Sequence, residues 1–160
     1  MKNTLFVIIL LIGSFGVSQA QDYNSAIGLR LGYPLSVTYK TFINESTAIE
    51  AFAGFRSFGS YKEFRVNAAY LIHNEMESVD RLKWYYGAGP GFAFYSYNSS
   101  FQGNEGGVSI TISGYVGLEY TLDETPISFS VDWVPTLFIG GGGSGFGGGY
   151  GALAVRYVLN

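Results

Sequence analysis

The stretch Val108-Ser109-Ile110-Thr111-Ile112-Ser113-Gly114-Tyr115-Val116-Gly117-Leu118-Glu119-Tyr120-Thr121-Leu122 decides how the chain is read. Val108, Ile110, Ile112, Val116, Leu118, Tyr120 and Leu122 fall on one side of it. Ser109, Thr111, Ser113, Tyr115, Gly117, Glu119 and Thr121 fall on the other. A period of two marks a β-strand whose two faces meet different surroundings. Working outward, the same pattern recurs in Ile27, Leu29 and Leu31 against Gly28, Arg30 and Gly32. It recurs again in Phe64, Val66, Ala68, Tyr70 and Ile72 against Glu63, Arg65, Asn67 and His73.

Eight such runs are predicted: Ser25–Gly32, Leu35–Phe42, Thr47–Ser57, Tyr61–His73, Leu82–Tyr97, Val108–Leu122, Pro126–Ile139 and Tyr150–Leu159. The third and fifth alternate less cleanly than the rest. Turn-forming residues separate the runs, among them Asn44-Glu45-Ser46, Asn98-Ser99-Ser100, Asp123-Glu124-Thr125 and the glycine-rich segment Gly140–Gly149. The connections are hairpin-sized, so neighbours in sequence pair antiparallel. No helical stripe and no internal repeat competes with this reading.

Alternation does not say which face looks inward, but composition does. Only 13% of the 160 residues are charged, against 18% aromatic and 23 Gly, and ordinary soluble domains carry about 25% charge. The polar faces are rich in Gly, Ala, Ser and Thr, which suit a narrow eight-stranded interior. The opposite faces carry Trp84, Trp133, Phe64 and Tyr157. Aromatics gather near strand ends: Tyr33, Phe58, Tyr61, Tyr95, Tyr97, Phe138 and Tyr150 at one, and Phe42, Tyr70, Trp84 and Tyr120 towards the other. Such belts belong at a bilayer interface. The fold class predicted is therefore all-β, an eight-stranded antiparallel up-and-down transmembrane barrel with its apolar face towards lipid. A soluble lipocalin-like barrel, the same sheet turned inside out, is the competing reading.

Residues 1–20 read as a cleaved secretory signal. Lys2 is followed by the apolar segment from Leu5 to Ile12 and by small residues at Ser18 and Ala20. The barrel then occupies residues 21–160. With no Cys, disulfides contribute nothing to an exported fold. An even strand number puts both termini on the periplasmic side, with short turns at 44–46 and 123–125. Longer extracellular loops fall at 98–107 and 140–149, and the connection at 74–81 is long for a periplasmic turn.

A signal peptide, eight alternating strands and a closing apolar-alternating strand resemble the small bacterial outer-membrane β-barrel family of the OmpX and OmpA-barrel type. Trp84-Tyr85-Tyr86-Gly87-Ala88-Gly89-Pro90-Gly91, Gly117-Leu118-Glu119-Tyr120 and Ser130-Val131-Asp132-Trp133-Val134-Pro135 are similar to strands of porin-like outer membrane beta-barrel domain proteins. The resemblance implies integral residence in a Gram-negative outer membrane, contact with outer-membrane lipid and insertion by the outer-membrane assembly machinery. Members commonly end in Phe, with an aromatic two residues earlier. Here Tyr157-Val158-Leu159 fills that pattern with Leu, and Asn160 follows.

Charges inside so narrow a barrel must pair, because an isolated buried ion is costly. A turn centred on Glu45 sets Lys40 opposite Glu50. One centred between Gly59 and Ser60 sets Arg56 opposite Glu63, and one centred on Ser144 sets Asp132 opposite Arg156. Arg30, Arg65 and Glu119 are further polar residues of the interior. The expectation is an ion-pair network that fills the lumen.

Other chemistry finds little support. His73 is the only His. Lipid A acyltransferase and deacylase barrels use a His and Ser site, but His73 falls at the periplasmic end of its strand, away from outer-leaflet lipid. No HExxH or multi-His cluster points to zinc. Gly87-x-Gly89-x-Gly91 lacks the strand-turn-helix context of a nucleotide loop and reads as space for a bend or for neighbouring aromatics. A net charge of −3 argues against nucleic acid. The function expected is a non-enzymatic, monomeric envelope protein without cofactor or metal. It would have a structural role, or contact a surface ligand through loops 98–107 and 140–149. A narrow solute channel and a lipid-modifying barrel enzyme are the alternatives.

Overall fold

The computed structural model describes residues 23–59, 61–97, 106–141 and 144–159. The proposed signal segment 1–20 and most of loop 98–107 lie outside the described residues. Ten strand segments make eight staves: β1 (Ser25–Gly32), β2 (Leu35–Phe42), β3 (Thr47–Phe58), β4 (Tyr61–Glu75), β5 (Leu82–Tyr97), β6 (Gly107–Thr121), β7 (Ile127–Trp133), β8 (Thr136–Ile139), β9 (Gly145–Gly147) and β10 (Gly151–Leu159). Every pairing is antiparallel. β1 pairs with both β2 and β10, β10 pairs with β7, and β5 pairs with β6, so the sheet closes on itself. Closure removes the free edges that an open sheet would expose.

The seventh predicted run is not one strand. Pro135 has no N–H to give the ladder, and the stave divides there into β7 and β8, which both pair with β6. The Gly114 amide bridges the break by donating to Pro135 O at 2.8 Å. The segment predicted as a free loop at Gly140–Gly149 is also corrected. Part of it forms β9 against β8, with Leu137 opposite Phe146, and Trp133 Nε1 donates to Gly148 O at 2.6 Å. The turn at Asn44 rests on local chemistry, since Asn44 Oδ1 accepts from the amides of Ser46 and Thr47 at 3.0 and 2.8 Å.

The two faces differ throughout. Leu29 and Val131 are 54% and 53% exposed on the outside. Lys40, Glu50, Glu63, Glu119 and Arg156 are buried inside. The outer surface carries a continuous band that includes Ile27, Leu31, Val37, Ile110, Ile112, Val155 and Leu153. Among the expected belt aromatics, Phe58, Tyr70, Trp84 and Tyr120 face out, and Tyr33 is exposed at the rim. Several others do not. Phe42 packs edge-on to Tyr23 at 5.1 Å, while Phe138 and Tyr150 lie under the Arg65 guanidinium. Parity explains the split: Phe42 shares the face of Lys40, and Phe138 shares that of Asp132 and Thr136.

Candidate functional site

The interior of the barrel holds the groups capable of chemistry. The end at which β1 begins and β10 finishes is closed by Tyr23, which precedes β1 and packs with Ala26, Val158 and Phe42. Its hydroxyl donates to Glu119 Oε1 at 2.7 Å. Lys40 Nζ donates to Glu119 Oε2 at 2.5 Å and to His73 Nε2 at 2.8 Å. That bond makes Nε2 the acceptor and places the imidazole proton on Nδ1. The His73 ring is stacked on Tyr85 at 5.1 Å and lies 4.9 Å from Phe42.

Arg156 occupies the next level. Its Nη2 and Nε reach Glu50 Oε1 at 2.5 and 2.9 Å, and its Nη1 reaches Ser130 Oγ at 2.8 Å and Glu119 Oε2 at 3.4 Å. Thr38 Oγ1 donates to the same Glu50 oxygen. Above this, Asp132 accepts from Arg30 Nη2 at 2.5 Å and from Tyr85 Oη at 2.6 Å. Arg30 in turn lies over Phe52 at 4.9 Å, and Phe52 stacks on Tyr115 at 5.7 Å. At the far end Glu63 collects Arg65, Arg56 at 3.4 Å and the Tyr61 hydroxyl at 2.8 Å. Glu63 and Arg65 share β4, but Arg30, Lys40 and Arg156 reach carboxylates on staves that are not their neighbours, which only a closed sheet allows.

The three predicted pairs fare differently. Lys40 stands opposite Glu50 in the ladder, and Arg56 opposite Glu63. Lys40 nevertheless directs its ammonium to Glu119 and His73, and Glu50 receives Arg156. The Asp132–Arg156 pairing is corrected. Asp132 stands opposite Ala152, and Arg156 opposite Ser128. The ladder of β7 on β10 is shifted from a centre at Ser144, and the ladder of β8 on β9 is shifted in the same direction. Arg30, Arg65 and Glu119 all point inward and are buried.

Tyr115 lies on the polar face of the run Val108–Leu122 and is buried, whereas Tyr23, Phe52 and Tyr85 are interior groups that the alternation does not mark. Phe52 and Tyr85 sit in the two runs that alternate poorly, since both faces there carry aromatics. Parity was the available signal: Phe52 is two residues from Glu50, and Tyr85 is two from Lys83, which is also buried. Gly87, Gly89 and Gly91 lie on that same inward face of β5, where a Cβ at Gly91 would come within 2.6 Å of Thr111 Oγ1. They leave room for the neighbouring strand and side chains. Among the described residues no cluster of His, Cys, Asp and Glu suits a metal ion.

No protein-family model matches the chain, and no curated protein matches it in sequence. Among solved structures it is similar to the crystal structure of Neisserial surface protein A (NspA). The TM-score is 0.58 at 13% identity, covering 84% of this chain and 93% of that one. At that identity the likeness concerns the fold alone. With an apolar exterior, a charged interior and a sheet closed over eight staves, the chain has the fold of an outer-membrane β-barrel.

Proposed function

We propose that this protein is an integral barrel of a Gram-negative outer membrane with a structural or surface-contact role, no enzymatic chemistry and a lumen closed by ion pairs. One observation carries the reading. The ordinary order of a soluble protein is inverted, with Leu29 and Val131 more than half exposed while Arg156 is 1% exposed. An exposed apolar band of this extent needs a hydrocarbon solvent. The interior supports the absence of a channel. The Tyr23–Phe42 pair, the Arg156 cluster and the Phe52–Tyr115 stack follow one another through the lumen. The cavity beside Arg30 and Arg65 holds only about 50 Å³.

His73 does not suit a lipid-modifying enzyme. Its ring is enclosed by Lys40, Tyr85 and Phe42 inside the sheet, near the end at which β1 begins. The test is fractionation followed by a denaturing gel with and without boiling, and then single-channel recording in planar bilayers. An outer-membrane band that shifts on boiling, with no unitary conductance, is expected. A soluble periplasmic protein would overturn the membrane reading, and discrete conductance steps would overturn the closed lumen.

A further inference from the structure

A cavity lies towards the end of the barrel that carries Glu63. Its walls include Arg30, Ser36, Arg65, Asn67, Tyr115 and Thr136. A volume of about 50 Å³ admits roughly four water-sized groups at ~10–15 Å³ each, which is the size of a carboxylate or phosphate group. Arg30 commits Nη2 to Asp132, but its buried Nη1 has no hydrogen-bond partner among the described residues. Asn67 Oδ1 is likewise without one, and an amide flip would present its NH₂ group instead. Among the described residues, Arg30, Arg56 and Arg65 share this end with Glu63 and Asp132, three cations to two carboxylates. Water satisfies a donor but leaves the charge, whereas an anion answers both.

We propose that this cavity binds a small oxyanion, a carboxylate or phosphate group, held by Arg30 Nη1 and Arg65 with Ser36 and Thr136 at its sides. Tyr33 and Tyr150, stacked at 6.3 Å, stand between the β1–β2 turn and the entry to β10, with Arg56 lying 3.7 Å from the centre of the Tyr33 ring. The anionic group arrives either as a free solute or on a lipid headgroup.

The experiment titrates inorganic phosphate and acetate, against chloride at equal ionic strength, into the folded full barrel in lipid-free micelles. Amide shifts at Gly32, Asn67 and Gly151 report occupancy. Saturable shifts there are expected. Arg30→Lys keeps a cation beside Asp132 but removes Nη1, and should weaken the affinity about tenfold. Should that variant fail to fold, Arg30→Gln combined with Asp132→Asn removes the site without stranding a charge. Repeating the titration in nanodiscs containing lipid A separates the sources. Loss of the phosphate response there identifies a headgroup as the occupant, and an unchanged response identifies a free anion. Absence of saturable shifts with both anions in micelles, or unaltered affinity in the Arg30 variants, would overturn the proposal.

Discussion

Arg156 of β10 meets Glu50 of β3 at 2.5 Å, although two other strands, β1 and β2, separate them in the sheet. The contact crosses the lumen. Both residues are 1% exposed, so neither charge can turn to water if the other is lost.

Glu50→Gln should therefore be strongly destabilising. Removing one member of a buried pair costs about 3–5 kcal/mol, and Arg156 would keep Glu119 at 3.4 Å as its counter-charge, beside the neutral Ser130 hydroxyl. Replacing both, as Glu50→Leu with Arg156→Met, should recover most of that loss, because no lone charge stays buried. Urea unfolding of the refolded barrel measures both variants. A single variant as stable as the parent would remove the pair from any structural role.

A cation on the outer band separates a lipid-facing surface from a wet one. Leu29 pairs with Val37 and Val155 halfway along β1. Leu29→Arg should cost about 2–4 kcal/mol for a residue near the bilayer midplane, whereas on a water-facing surface it would be close to neutral. Unfolding in phospholipid vesicles gives the number, and a neutral result would place this face in water.

Gly28 is a packing constraint. A Cβ there would fall 2.6 Å from Arg156 Cα and 2.9 Å from its Cγ. The nearest atom is the Val155 carbonyl oxygen at 2.1 Å, so Gly28→Val should force the β1 and β10 backbones apart and cost at least about 1–3 kcal/mol through overpacking. Its unfolding midpoint should drop well below that of a substitution at exposed Val37.

His73→Ala tests for hidden catalysis. The lipid A of cells carrying the parent protein, the variant or neither should give the same mass spectrum. Loss of the imidazole acceptor for Lys40 should lower stability by about 1–3 kcal/mol. A lipid A species that depends on His73 would make the protein an enzyme.

How much could be read in advance differs between ladder and lumen. Alternation from Val108 to Leu122 names the two faces of β6, since side-chain direction in a strand has a period of two. The Asn44 turn sets the register of β2 on β3 because so short a connection leaves no slack. The glycine segment leaves slack, so Asp132 and Arg156 were matched wrongly. Aromatic residues near strand ends were equally ambiguous. Phe58 and Phe138 are alike in composition and position, yet one faces out and the other lies under Arg65.

Apart from the division at Pro135 and the short β9, the strands, their antiparallel order and the segregation of charge from bulk are legible in the residues alone, because they depend on parity and on turns a few residues long. The partner of each interior charge was decided only by the tertiary structure. Closing the sheet brings non-neighbouring staves within a side chain's reach, so Lys40 finds Glu119 and Arg30 finds Asp132 across the lumen. Such distances depend on the curvature of the whole barrel, and no local pattern encodes them.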